Sequence, residues 1–297
     1  MYRAENAEKP IAARLPARPA MSVAPGLVCL TIVLGLTVCA PLLAHDDPDE
    51  QIDRISAEIE FYSGNAELYM TRGGLHRMAG HWEAALTDFN RVAALDSGYP
   101  GIDFQRGRIL FEGGEFQQAR ELLDYFLADH PTHVQALIVR AGCLLALGQP
   151  QQAAQDYSQA IAQMANPTPV IFLERADALA AAGDDHLVAA IVSLDEGAAR
   201  LGPLILLQSR AVEFEIRAQR YAAALARIDQ ILAQSPRKET WLARRGEVLQ
   251  QAGFEAEARA SFAQALAAID ALPSRRRQTP ALVELTARLN RYLERDP

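Results

Sequence analysis

The residues best suited to chemistry in this chain are its histidines and cysteines, since these side chains are frequent nucleophiles and metal ligands. One pair of histidines lies in the segment His130-Pro131-Thr132-His133, and His76 and His81 form a second. A closed zinc site needs four protein ligands and a catalytic one needs three. Two histidines fall short of either number, so we expect both pairs to be structural and expect no metal and no other cofactor.

The short motifs of the common catalytic centres are also missing. The sequence contains no glycine-rich phosphate loop, no G-x-S-x-G turn, no H-E-x-x-H helix and no C-x-x-C pair. Because no nucleophile, base and orienting residue can be assembled from it, we expect no enzymatic activity. An enzyme whose site is hidden in a groove is the alternative, and a panel of hydrolase assays would distinguish the two.

The composition favours helices and disfavours nucleic-acid binding. Half of the 297 residues are hydrophobic and 7% are aromatic, with alanine and leucine recurring throughout. Such residues prefer helices to strands, which predicts an all-α protein. The formal net charge is -8, and an acidic surface repels phosphate backbones, so no nucleic-acid partner is expected.

The first 44 residues have the layout of a signal peptide. An uncharged apolar stretch at 27–43 follows a tail with four basic residues and ends at the small residue Ala44. We expect cleavage after Ala44, a mature chain that starts at His45 in the periplasm or outside the cell, and no stable membrane insertion afterwards. In the alternative, residues 27–43 stay as an inner-membrane anchor, although 17 residues is short for a span. A true start at Met21 would remove the basic tail.

The cysteines indicate that no disulfide holds the mature chain. Cys29 and Cys39 lie within the apolar stretch, so cleavage would leave only Cys143. A single cysteine cannot form an intramolecular disulfide, even in an oxidising compartment. Apolar neighbours at Leu144 and Leu147 predict that Cys143 is a small, buried core residue.

Internal repetition decides the fold. Six arginines that each precede a small residue form a row with spacings of 34, 34, 35, 35 and 35 residues, at Arg72, Arg106, Arg140, Arg175, Arg210 and Arg245. A second row of small residues runs through Ala85, Ala119, Ala153, Ala190, Ala224 and Ala258, each followed four residues later by a large apolar side chain. This period predicts stacked helix pairs, with small residues where helices approach closely and large ones between them.

The turns within the units carry glycines suited to the left-handed conformation that ends a helix. They occur at Gly80, Gly114, Gly148, Gly183 and Gly253. The pattern resembles the tetratricopeptide-repeat family, with Tyr69, Gly73, Ala85 and Phe89 matching its first unit. This resemblance implies an all-α, right-handed superhelical solenoid with about six helix pairs at residues 66–272. Residues 45–65 and 273–297 would form the two capping helices.

Two features depart from the family pattern. Arginine replaces the usual leucine in all six units, and we interpret it as structural, pairing across the helix pair as in Arg72 with Asp88 and Arg140 with Asp156. A row of arginines that faces a ligand is the alternative. Unit four is two residues longer than the norm between arginine and alanine, and unit five is one residue longer.

In that family the first helix of each pair lines a concave groove that binds a protein or peptide segment. The resemblance therefore implies a groove graded from arginines and aromatics, through aliphatics, to carboxylates, formed by Met70, Arg77, Phe104, Arg108, Phe111, Ile138, Leu145, Asp177, Glu215 and Glu247. Phe104 and Phe111 could instead pack against the next unit. The sequence lacks the lysine and asparagine set that grips a C-terminal carboxylate in some relatives. We expect a non-enzymatic protein-binding scaffold of the cell envelope, or else a membrane-anchored assembly factor.

Overall fold

The computed structural model describes residues 47–294, which fold into α-helices joined by short turns and contain no strand. The predicted signal peptide and its cleavage site lie outside this range. The fifteen helices of this range are α1 Pro48–Phe61, α2 Ala66–Met78, α3 Trp82–Leu95, α4 Ile102–Glu112, α5 Phe116–Asp129, α6 Val134–Ala146, α7 Pro150–Gln163, α8 Pro169–Ala181, α9 Leu187–Leu201, α10 Ile205–Arg217, α11 Tyr221–Gln234, α12 Glu239–Gln251, α13 Glu255–Asp270, α14 Ser274–Arg277 and α15 Pro280–Glu294.

Each long helix packs against the helices before and after it in the chain, which confirms the predicted all-α helical solenoid. Six consecutive pairs, from α2 with α3 to α12 with α13, form units one to six. Helix α1 packs against α2 and helix α15 against α13. The buried side chains form clusters that follow one another along the stack, as expected when each pair must cover its apolar face with its neighbours. Among residues 47–294, no helix combines the length and the apolar character needed to cross a bilayer.

The turns inside units one, two, three and six confirm the predicted role of glycine, whereas Gly183 in unit four departs from it with φ 137° and ψ 166°. Gly80, Gly114, Gly148 and Gly253 all adopt positive φ angles between 72° and 85°. In unit four, a 3-10 turn at Asp184–His186 separates α8 from α9 and accounts for the two extra residues.

The small residues of the first helices mark close approaches, as predicted. A Cβ atom added at Gly73 would lie 2.7 Å from Cε1 of Phe89, and one at Gly107 would lie 2.9 Å from Cγ of Leu123. The alanines of the second row are fully buried. The two rows therefore let the helices of one unit meet without a gap, and the large apolar residue fills the space between them.

The arginine row is structural in the units where it was expected to be. Nη2 of Arg72 lies 2.7 Å from Oδ1 of Asp88, and the same distance joins Arg140 to Asp156. Arg140 also reaches Asp124, on the second helix of the preceding unit, at 2.9 Å. Both arginines therefore bind the second helix of their own unit. Arg140 also binds the second helix of the preceding unit and so connects two consecutive pairs.

Unit five departs from the prediction. Helix α10 ends at Arg217, seven residues before Ala224, just as α2 ends at Met78, seven residues before Ala85. Counting back from the helix ends places Val212, which is buried, where unit one has Gly73. The unit therefore has the normal length, and the expectation of an extra residue is wrong, because Arg210 lies one position too early to belong to the arginine row.

A pair with exchanged charges replaces the arginine clamp in unit five. Arg227 directly precedes the buried Ile228, the place that Asp88 and Asp156 occupy before Phe89 and Tyr157. Its Nη2 lies 2.8 Å from Oε1 of Glu215 on α10. The cation thus lies on the second helix and the carboxylate on the first.

Candidate protein-binding face

The first helices of the units, α2, α4, α6, α8, α10 and α12, form one surface, called here the first-helix face. At its N-terminal part, Arg77 and Arg108 converge on Glu112, with distances of 3.2 Å and 3.1 Å from their nitrogens to Oε1. Both arginines are partly exposed. The structure thus brings two predicted groove residues together, and it neutralises part of their charge within the chain.

The two predicted aromatics serve the fold. Phe104 is only 8% exposed, and its ring centroid lies 5.8 Å from that of Phe126 and 4.8 Å from that of His133. Its predicted place on the groove surface is therefore wrong, because α5 and the segment before α6 cover it. Phe111 is half-buried, and a Cβ added at Gly142 would lie 2.7 Å from its Cζ. Both rings pack against the next unit, which was the alternative left open by the sequence.

Glu215 is likewise not a groove residue, since only 2% of it is exposed. The shifted register of α10 turns Glu215 toward α11, where it accepts a hydrogen bond from Arg227. The same guanidinium also donates to Asp195 and Gln208. Burial tends to lower the pKa of the Arg227 guanidinium, but the hydrogen bonds to Glu215 and Asp195 outweigh burial and raise it. This network connects α9, α10 and α11, with Glu215 buried, Arg227 largely buried and Asp195 half exposed.

The C-terminal part of the first-helix face carries alternating charges that pair with one another. Arg210 Nε lies 2.7 Å from Oδ1 of Asp177 and its guanidinium also binds Glu213. Arg244 and Arg288 both bind Glu247, at 3.0 Å and 3.2 Å. The expected gradient toward carboxylates is therefore wrong, because each carboxylate here meets an arginine of the same or a neighbouring helix.

The middle of the face is aliphatic, as predicted. Ile138 and Leu145 on α6 are half-buried and pack against the main core cluster, and Met70 on α2 is half-buried as well. These side chains leave part of their apolar surface in contact with solvent.

Three exposed aliphatic side chains at the starts of α8 and α10 were not predicted. Val170 is 52% exposed at the start of α8, and Ile205 and Leu206 are 50% and 55% exposed at the start of α10. Leu206 precedes Ser209 and Glu213 by three and seven residues, so the three share one side of α10. Val170 likewise precedes Asp177 by seven residues on α8, and Asp177 binds Arg210 on α10. We call Val170, Ile205 and Leu206 the apolar rim.

The sequence contains a signal for this rim. Residues 204–207 are four consecutive large aliphatics at the start of an amphipathic helix. A helix buries one stripe of its surface, so four successive residues cannot all face the core. Only Leu207 of the four is buried.

A cavity of about 260 Å³ lies between α10 and α12, and its lining residue Ser209 is one helical turn from Leu206 of the rim. Its wall includes the half-buried indole of Trp241, with Thr240 and Arg244 on the same helix and Ser209 and Glu213 opposite. All its lining residues belong to these two first helices, so the cavity opens on the first-helix face. Its size suits one or two apolar side chains of a bound molecule.

The histidine pairs have structural surroundings. Nδ1 of His133 accepts a hydrogen bond from the Ala136 amide, at 3.1 Å, and so caps α6. Burial lowers the pKa of both His133 and His76, and the rings of His76 and His81 lie 5.7 Å apart. Within residues 47–294 there is no group of three or more His, Cys, Asp and Glu side chains that could hold a metal ion.

Comparisons with known proteins agree with this architecture. A family model described as tetratricopeptide repeat matches residues 104–168. The fold is similar to that of a tetratricopeptide-repeat protein from Parabacteroides merdae, with 17% identity, 81% of this chain and 93% of that chain covered, and a TM-score of 0.51. It is also similar to the C-terminal part of a repeat protein from Cytophaga hutchinsonii, with 13% identity, coverages of 80% and 94%, and a TM-score of 0.61. A search of curated protein sequences finds no match.

Proposed function

We propose that this tetratricopeptide-repeat protein is a non-enzymatic scaffold that binds another protein through its first-helix face. The observation that carries the proposal is the apolar rim beside the Trp241 cavity. Adjacent exposed aliphatics next to an apolar cavity are typical of interaction sites. Covering three aliphatic side chains that are half exposed would contribute roughly 1 kcal/mol each.

The neighbouring charges support the same surface. Asp177, Arg210 and Glu213 are already paired, as are Arg244 and Glu247. Removing water from an unpaired charge is the costly step in forming many polar interfaces. Because these charges are already paired, a partner that covers the rim avoids that step. Apolar contacts would provide the affinity, and the paired charges would border them.

The binding proposal can be tested by crosslinked co-purification of the full-length chain from the native cell envelope. The variant Val170→Ser with Leu206→Ser removes two rim side chains. Its matched control is Val188→Ser with Val192→Ser on α9, the second helix of unit four. These valines are similarly exposed, at 51% and 60%, and Val192 lines a different groove, formed by α9, α10 and α11. We expect the rim variant to lose its partner and the control to keep it. Equal recovery with both variants would rule out the rim as the docking surface.

We further propose that the protein is exported and works in the cell envelope. The support is the uncharged apolar stretch at residues 27–43, between a basic tail and Ala44. The intact mass of the native protein tests this, because cleavage should leave a chain that starts at His45. A mass that includes residues 27–43 would favour the alternative, an assembly factor anchored in the inner membrane. In either location, a hydrolase panel should detect no turnover.

A further inference from the structure

We infer that the segment bound at the apolar rim is an amphipathic α-helix of the partner protein, with an acidic residue near one end. The inference rests on the proposed function and adds the chemistry of the bound segment. Three properties of the surface carry it, namely the spacing of its apolar groups, the pairing of its polar groups and one lysine that has no ion-pair partner among residues 47–294.

The apolar groups are distributed over three successive first helices. Val170 lies at the start of α8, Leu206 at the start of α10, and the Trp241 cavity opens between α10 and α12. Helices α8 and α10 pack against each other, and packed helices lie about 8–10 Å apart, so Val170 and Leu206 recur at about that distance. A partner helix that crosses them would meet them with residues about seven apart, at 1.5 Å per residue. An extended segment would meet them with residues about three apart, at 3.3 Å per residue.

The pairing of the polar side chains favours a helix over an extended segment. An extended backbone presents one N–H and one C=O per residue, and burying them without partners is costly. On this part of the first-helix face, the charged side chains of α8, α10 and α12 bind one another, as in Asp177 with Arg210 and Arg244 with Glu247. Ser209 and Thr240 offer two hydroxyls, too few for a strand. A helix satisfies its own backbone hydrogen bonds, so it can cover the rim with apolar side chains alone.

One cation near the rim provides charge complementarity. Lys238 directly precedes α12, two residues before Thr240 and three before Trp241, and its side chain is exposed. Within residues 47–294 its ammonium group has no ion-pair partner, whereas the neighbouring Arg237 binds Glu239. An acidic residue at the end of the bound helix would pair with Lys238 and fix the direction of that helix.

Site-specific photocrosslinking in the native cells tests the inference. A p-benzoylphenylalanine replaces Val170 in one full-length variant and Leu206 in a second, both exposed positions, and Val192 in a third as a control outside the face. Mass spectrometry then identifies the partner residues that are joined to each position. We expect the sites joined to positions 170 and 206 to lie about seven residues apart in one partner segment, with an acidic residue farther along that segment, beyond the site joined to position 206.

The possible outcomes separate the inference from the proposed function. Partner sites about three residues apart would show an extended segment and overturn the inference, while the scaffold proposal would stand. Crosslinks to lipid or to a second copy of this chain at position 206 would also overturn it. Protein crosslinks at position 192 alone would overturn both proposals. In the variant that carries the crosslinker at position 206, Lys238→Glu should lower the crosslink yield several-fold, whereas Lys238→Arg should not. Equal yields from these two variants would refute the inference that the bound helix has an acidic residue near its end.

Discussion

Two neighbouring glycines of helix α2 should respond in opposite ways to the same substitution. A Cβ atom at Gly73 would lie 2.7 Å and 2.9 Å from two ring carbons of Phe89 and 3.2 Å from Cβ of Asp88. A Cβ atom at Gly74 would meet nothing within 4 Å. Since both residues lie inside the same helix, Gly73→Ala tests the close approach and Gly74→Ala is its matched control.

The expected magnitudes follow from two opposing effects. Replacing glycine by alanine inside a helix stabilises the folded state by about 1 kcal/mol, and this gain applies to both positions. At Gly73 the added methyl also overpacks the core, which costs about 1–3 kcal/mol, because the ring of Phe89 is buried and cannot move into solvent. The free energies of unfolding should therefore differ by about 1–3 kcal/mol, or roughly 2–12 °C in Tm for a chain of this size.

Thermal melting of the full-length chain, followed by the far-ultraviolet circular dichroism of its helices, measures the difference. Repeat proteins can unfold in steps, so the comparison uses the first transition of each melting curve. We expect Gly74→Ala to melt above the parent and Gly73→Ala to melt below Gly74→Ala. If Gly73→Ala melted together with Gly74→Ala or above it, the interpretation of the small-residue row as a close helix contact would be refuted.

Three further predictions concern buried groups. Arg227→Met leaves the carboxylate of Glu215 buried without its main partner, so the free energy of unfolding, measured by chemical denaturation, should fall by about 3–5 kcal/mol. Adding Glu215→Met to the same chain should restore most of that loss. Burial raises the pKa of the Cys143 thiol to about 12, so thiol labelling of the native protein should be far slower than after denaturation. Burial and His130 lower the pKa of His133 below 6.5, so the unfolded chain binds this proton more readily and the Tm should fall as the pH drops through 6.5. His133→Asn keeps a capping oxygen and should weaken this pH dependence without abolishing it, since the pKa of His76 is lowered too.

The sequence predicts those features that depend on local periodicity. Gly73, Ala85 and Phe89 recur in register because each unit must repeat the same contact between its two helices. The pairs Arg72 with Asp88 and Arg140 with Asp156 follow from the same register. Periodic contacts of this kind need no knowledge of the rest of the chain, so residue type and spacing are sufficient to find them.

The prediction fails where residue type and register disagree. Arg210 has the residue type of the arginine row but lies one position early. The bounds of α10 reveal this shift, whereas the spacing of the arginines in the sequence does not. The same shift buries Glu215, which was expected in the groove. Phe104 is covered by Phe126 of its own unit and by His133 at the start of α6, and the contact with His133 depends on how two consecutive units pack together. Position on a first helix therefore does not by itself establish exposure.

The central claim is that the apolar rim is covered by a partner in the cell, and hydroxyl-radical footprinting tests it most directly. Labelling of the full-length chain in native envelopes is compared, residue by residue, with labelling of the purified chain. Ile205 and Leu206 report on the rim, and the exposed Tyr125 on α5 is the internal reference. We predict that labelling of Ile205 and Leu206 falls several-fold in the envelope while Tyr125 is unchanged. Equal labelling of the rim in both samples, or protection at Tyr125 alone, would contradict the claim.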